Sequence, residues 1–118
     1  ACLTEVMTPA AYDHMLPLAA ELAARLRAVI AGRGLDWHVT HIGSRGEFIC
    51  EAEPARNGSE ARAKMHGALE HALHLYLINR GVLIAPFHNM TLVSPATTSA
   101  QVDRLANVLD DCLQTLIG

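Results

Sequence analysis

Between Pro9 and Ile30 the apolar residues Met15, Leu18, Leu22, Leu26, Val29 and Ile30 return at steps of three and four, the period of a helix with one buried stripe. Thr8 suits the cap and Pro9 the first helical position, while Gly32 and Gly34 offer the backbone freedom of a helix exit. Pro17 falls inside this stretch, where it removes a hydrogen bond and crowds the preceding turn, so a kink or a late start is expected there. Trp37–Ile42 and Glu47–Cys50 are short runs rich in β-branched and aromatic residues, separated by Gly43-Ser44-Arg45-Gly46, and they predict a β-hairpin. The stretch from Glu53 to Gly58 carries Pro, Asn and Gly without apolar periodicity and reads as a surface loop.

A second helix opens near Ser59, places Met65, Leu69, Ala72, Leu73, Tyr76 and Leu77 on one face, and ends at Gly81. Val82-Leu83-Ile84 and Met90-Thr91-Leu92-Val93 predict two further strands, joined through Pro86-Phe87-His88-Asn89. Thr98 with Gln101 forms a capping box, after which Val102, Leu105, Leu109, Cys112, Leu113 and Leu116 give the last helix its stripe. The predicted order is α-β-β-α-β-β-α, with no internal linker or repeat to divide it. It implies one α+β domain over residues 1–118, a small and mostly antiparallel four-stranded sheet packed with three helices.

Composition narrows what such a domain does. At 118 residues, 51% hydrophobic and 18% charged, the chain is too apolar for disorder, and no apolar stretch approaches the roughly 20 residues of a membrane-spanning helix. A net charge of -3, from 9 basic against 12 acidic residues with no basic patch, excludes an ordinary nucleic-acid footprint. Cys2, Cys50 and Cys112 are odd in number, far apart and in no CxxC pair, which suits a reducing, cytoplasmic setting better than a disulfide framework. Cys50 and Cys112 lie in apolar patterns and are expected to be buried, inert thiols, with Cys2 exposed. The N-terminus has no initiator Met, no basic n-region and no apolar h-region, and reads as a cut end.

The run from Asn79 to Arg104, with Gly81-Val82-Leu83-Ile84-Ala85-Pro86 at its centre, reads as helix end, strand, turn, strand and capped helix. Together with Thr4-Glu5-Val6-Met7-Thr8-Pro9 before the first helix, Gly34-Leu35-Asp36-Trp37-His38-Val39 entering the first strand, Gly43-Ser44 before the second and Val102-Asp103-Arg104 in the last helix, it resembles the C-terminal small domain of class III, fold-type I aminotransferases that depend on pyridoxal phosphate. The resemblance lies close to the glutamate-1-semialdehyde aminomutase branch. It implies an aminotransferase or aminomutase acting on an amino acid or amino-aldehyde, with pyridoxal phosphate held as a lysine Schiff base by a large domain of the same polypeptide and the parent working as a homodimer.

On that resemblance the small domain supplies one wall of the substrate pocket and a body that closes on the large domain. The implied substrate-binding residues are Phe87, His88 and Asn89, with Arg45 second, since a guanidinium grips a carboxylate through two parallel hydrogen bonds. No catalytic, cofactor-binding or metal residue is expected within the chain. Its one lysine, Lys64, sits in Ala63-Lys64-Met65-His66, unlike the context of a cofactor lysine, so residues 1–118 alone should be inactive. Seven histidines raise the question of a metal, and His71 and His74 are three apart on a helix, but no Cys or carboxylate cluster converges on them and His38 and His41 point to opposite strand faces. Arg104 reads as a helix-surface residue pairing near Asp103 or with solvent. The alternative is a freestanding, non-catalytic α+β binding or regulatory module. A small domain without its large one should also expose an unusually large apolar face.

Overall fold

A computed structural model describes all of residues 1–118. After a single π-helical turn at Cys2–Val6, helix α1 spans Pro9–Gly32. The Thr8 hydroxyl accepts a hydrogen bond from Ala11 N at 3.3 Å, which satisfies one of the free donors of the first turn. The helix starts at Pro9, so the alternative of a late start at Pro17 is not what forms, and it runs through Pro17 without a break. Both Pro17 and Asp13, whose carbonyl loses its partner, lie on the exposed side, where water can take the missing donor's place.

The hairpin forms from β1, His38–Ile42, and β2, Arg45–Ile49, with Ile42 opposite Arg45. Its turn is therefore only Gly43-Ser44, and Arg45 and Gly46 belong to a strand and not to the loop the sequence suggested. Gly43 has φ +57°, the left-handed geometry that matches a two-residue turn to the twist of its strands. The single helix expected from Ser59 to Gly81 is two: α2, Gly58–Ala63, and α3, Gly67–Asn79. Nothing in α2 is buried, whereas α3 buries Glu70, Leu73 and Leu77, so no continuous apolar stripe spans the junction and Gly67 weakens it further.

Of the last two expected strands only β3, Met90–Leu92, forms, and the sheet is antiparallel in the order β1-β2-β3. Val82, Leu83 and Ile84 are alternately buried and exposed as strand residues would be. Pairing with β3 stops at one backbone bond, Ala85 N to Met90 O at 2.9 Å, too little to make a fourth strand. The α+β class stands, with three strands in place of four and four α-helices in place of three.

Helix α4, Ser99–Leu116, begins with the capping box: Gln101 N donates to the Thr98 hydroxyl and Thr98 N to the Gln101 side chain. Val102, Leu105, Leu109, Cys112 and Leu113 are buried as the stripe predicts, while Leu116 emerges half exposed as the helix outruns the core. One core joins α1 and α4 to the inner sheet face, through Leu26, Phe48 and Leu109, and extends to Leu73 and Leu77 of α3. The outer sheet face carries His38, Thr40, Arg45, Glu47, Met90 and Leu92, which alternate with the inward Val39, Phe48 and Thr91. No helix is long and apolar enough to cross a membrane.

Replacing the cap residue, Thr98→Ala, is expected to lower unfolding free energy by about 1 kcal/mol. Urea denaturation checks this, and an unchanged midpoint would show that the box adds nothing to α4.

Candidate functional site

The outer face of β1 and β2 forms one side of a groove of about 350 Å³, and the loop after β2 with α2 forms the other. Three polar contacts hold the loop in place. The Glu51 carbonyl meets His38 Nδ1 at 2.6 Å, its carboxylate accepts from His66 Nε2 at 2.6 Å, and the Glu53 carbonyl accepts from Lys64 Nζ. Arg56 then folds its backbone N–H and guanidinium onto Glu60, holding that carboxyl below its usual range. Asn57 caps α2 by accepting from Glu60 N.

Arg45 and His88, remote in sequence, line the same groove. Arg45 extends from the central strand with Nη2 3.5 Å from Glu47 Oε2, and Thr40 Oγ1 donates to the other Glu47 oxygen at 3.3 Å. His88 arrives from the turn before β3, where it and Asn89 have φ of +57° and +43°. Two successive left-handed residues reverse the chain sharply, and His and Asn tolerate that region better than most side chains. Phe87 is half exposed beside the groove, its ring edge-on to the His88 imidazole at 6.0 Å.

Asn89 is turned the other way. It is 2% exposed, and its Nδ2 donates to the Phe48 carbonyl at 3.1 Å. The β2–β3 ladder ends at the pair Glu47–Met90, so this amide supplies a donor one step beyond the point where left-handed backbone halts the pairing. Its role in the geometry is to hold the turn that presents His88.

The sequence weighed His38 only as a metal ligand and Lys64 only as a cofactor lysine, and it did not single out the groove residues Glu47 and Glu70. His38 and Glu47 share Arg45's face by strand parity once the turn is two residues long. Glu70 was detectable as an acid at the i, i+3, i+7 spacing of Leu73 and Leu77. Arg104 is exposed on the helix surface as expected, and the partner it finds there is the Arg80 carbonyl at the end of α3. A cation there complements the free carbonyls and the negative end of the helix dipole. His71 and His74 belong to no group of three His, Cys, Asp or Glu side chains that could hold a metal ion.

No protein-family profile and no curated protein matches the sequence. Solved structures do, and they place the chain with the C-terminal part of class III, pyridoxal-phosphate-dependent aminotransferases and aminomutases. The glutamate-1-semialdehyde aminomutase of Pseudomonas aeruginosa PAO1 is 48% identical over 98% of the chain, with a TM-score of 0.93, in two structures of which one is a complex with PMP. A β-phenylalanine aminotransferase from Variovorax paradoxus is 28% identical over 97% of the chain with a TM-score of 0.83. An omega-transaminase from Sphaerobacter thermophilus, 23% identical over 95% with a TM-score of 0.79, shares the fold. The chain spans 26% of the length of each.

All three cysteines are free, with Cys2 exposed and the other two buried. Burial, and next the nearby Glu70 carboxylate, pushes the Cys50 thiol from an ordinary 9.0 up to about 12, and burial raises Cys112 to about 11. A raised folded value means the unfolded thiol ionises first. The contribution of the two buried thiols to stability is thus complete below pH 9 and is lost as pH climbs from there through 11 to 12. With an aromatic disulfide at pH 8, one thiol of the native chain should react at once and the other two only in denaturant; two or more fast thiols would contradict the burial.

Asn89→Gly should cost about 1–3 kcal/mol for the lost bond to a buried carbonyl. Asn89→Ala should cost about 1 kcal/mol more, since alanine also resists the left-handed backbone. Equal urea midpoints for the two variants would remove the strain argument.

Proposed function

We propose that the chain acts as the C-terminal small domain of a pyridoxal-phosphate-dependent aminotransferase or aminomutase, supplying a wall of the substrate pocket and closing on the large domain of the same polypeptide. The observation that carries this is the 48% identity to glutamate-1-semialdehyde aminomutase over 98% of the chain. The groove supports it, because it brings together Arg45 from a strand and His88 from a turn of the same scaffold. The outer sheet face also leaves Ile42 and Leu92 80% and 67% exposed on either side of Arg45, apolar surface suited to an apposed domain. The resemblance extends the proposal to a homodimeric parent, and three unpaired cysteines fit a reducing cytoplasm.

Pyridoxal phosphate, the cofactor proposed for the parent, acts as an electron sink for amino-group chemistry when bound. The residues of this chain do not fit it. Lys64 ends the six-residue α2 with its ammonium donating to the Glu53 carbonyl, and the groove's arginines face Glu47 and Glu60. The left-handed glycines that could shape a phosphate cradle, Gly34, Gly43 and Gly81, sit in three separate turns. The cofactor therefore belongs to the remainder of the polypeptide. The tasks left to this chain are to orient substrate and exclude water, with Arg45 as the group for a substrate carboxylate, His88 as a polar contact, Phe87 as an apolar rim and Asn89 as the brace of their turn.

The full polypeptide should take up pyridoxal phosphate with a visible absorption band, and residues 1–118 alone should show none. In the full polypeptide, Arg45→Ala and His88→Ala should raise KM roughly tenfold or more, the size of a lost charge-assisted hydrogen bond, with less effect on kcat. A stoichiometric band from the isolated chain, or unchanged KM in both variants, would overturn the proposal.

A further inference from the structure

Most charged groups of the groove are already engaged. Arg45 faces Glu47, Arg56 faces Glu60, and Lys64 donates to the Glu53 carbonyl. Two acceptors on its lining are not. Glu70 is 7% exposed, yet its carboxylate receives a single hydrogen bond, from His66 N at 3.3 Å, and forms no ion pair. His38 Nδ1 lies 2.6 Å from the Glu51 carbonyl, and because a carbonyl only accepts, Nδ1 carries the proton. The other ring nitrogen is then an acceptor lone pair, and His38 Nε2 is buried without any partner.

The buried lone pair with no donor is costly, and an N–H group brought from outside relieves it; the same group can serve Glu70, whose carboxylate has one donor. Both side chains line the groove that Arg45 enters. Its volume of about 350 Å³ lies within the range of small-molecule sites, large enough for an amino-acid-sized ligand. We propose that the groove takes a ligand with its anionic end on Arg45 and a cationic N–H donor, ammonium or guanidinium, on Glu70 and His38 Nε2. This rests on the groove being a substrate wall, and it narrows the substrate class to amino acids that carry a second cationic group. His38 and Glu70 then set specificity by charge, away from the reacting atoms.

Calorimetric titration of the full polypeptide without added cofactor, using 4-guanidinobutanoate and its neutral isostere 4-ureidobutanoate, separates charge from shape. The guanidino probe should bind roughly tenfold tighter, as expected when a cation meets a desolvated carboxylate. Glu70→Gln should bring that ratio near one, while Arg45→Ala weakens both probes and leaves it unchanged. In nitrogen-15 spectra of labelled histidine, the His38 Nε2 resonance should start at the position of an unprotonated acceptor and move upfield as the guanidino probe saturates. A ratio near one in the native protein, or one that survives Glu70→Gln, overturns the proposal. Should that variant fail to fold by circular dichroism, an unmoved Nε2 resonance at saturation overturns it equally. A full polypeptide that takes up no pyridoxal phosphate defeats the aminotransferase reading but leaves the probe ratio measurable, so the two failures are distinct.

Discussion

The rest of the fold depends on the burial of one stripe of α1. Met15, Leu18, Leu22, Leu26 and Ile30 are all buried, against both the inner face of the sheet and α4. A sheet of three short strands is marginal by itself, so its inner face, with Phe48 at the centre, needs that helix to become stable. Each large apolar side chain so buried contributes about 1.5–3 kcal/mol, whereas the ion pairs Arg25–Asp103 and Arg33–Asp110 that flank the seam are partly solvated and add little. Because α1 and α4 both lie on the inner side, the outer face is left to polar side chains and to whatever packs there. The groove follows from this asymmetry.

The elements that were legible in the sequence are those whose stability is local. Thr8 and Thr98 cap their helices through their own first turns, and the stripe of α4 from Val102 to Leu113 is buried as its spacing predicts. What the sequence concealed was decided by tertiary contact. Met65 continues the apolar spacing of α3 but remains partly exposed beyond a helix break, because α2 has no neighbour to bury against. Val82 and Ile84 point inward like strand residues, yet a strand is defined by its partner's hydrogen bonds, and this segment makes only one to β3.

The candidate site was legible to a similar extent. Arg45 and His88 were visible as polar residues near turns, and the structure brings them to one groove. Asn89 could not be told from its neighbour by sequence, since both suit a tight turn; only the position of the Phe48 carbonyl assigns its amide to the interior. His38 was hidden behind a miscounted hairpin loop, because moving Arg45 into the strand is what puts the two on the same face. Glu70 hid within an apolar helix face, where a carboxylate is the exception that burial makes informative.

The left-handed turn at His88 also limits how the groove could diversify. A backbone φ of +57° at 88, followed by +43° at 89, admits glycine, asparagine, aspartate or histidine with little strain and resists β-branched and bulky residues. The substitutions tolerated at residue 88 therefore form a short repertoire of polar or absent side chains, while an apolar group there demands a rebuilt loop. Drift in ligand preference at this corner would proceed by exchanging one small polar group for another. A change from polar to apolar ligands would require insertion or deletion between Pro86 and Met90, and homologues that differ in loop length at this point are where such a change should be sought.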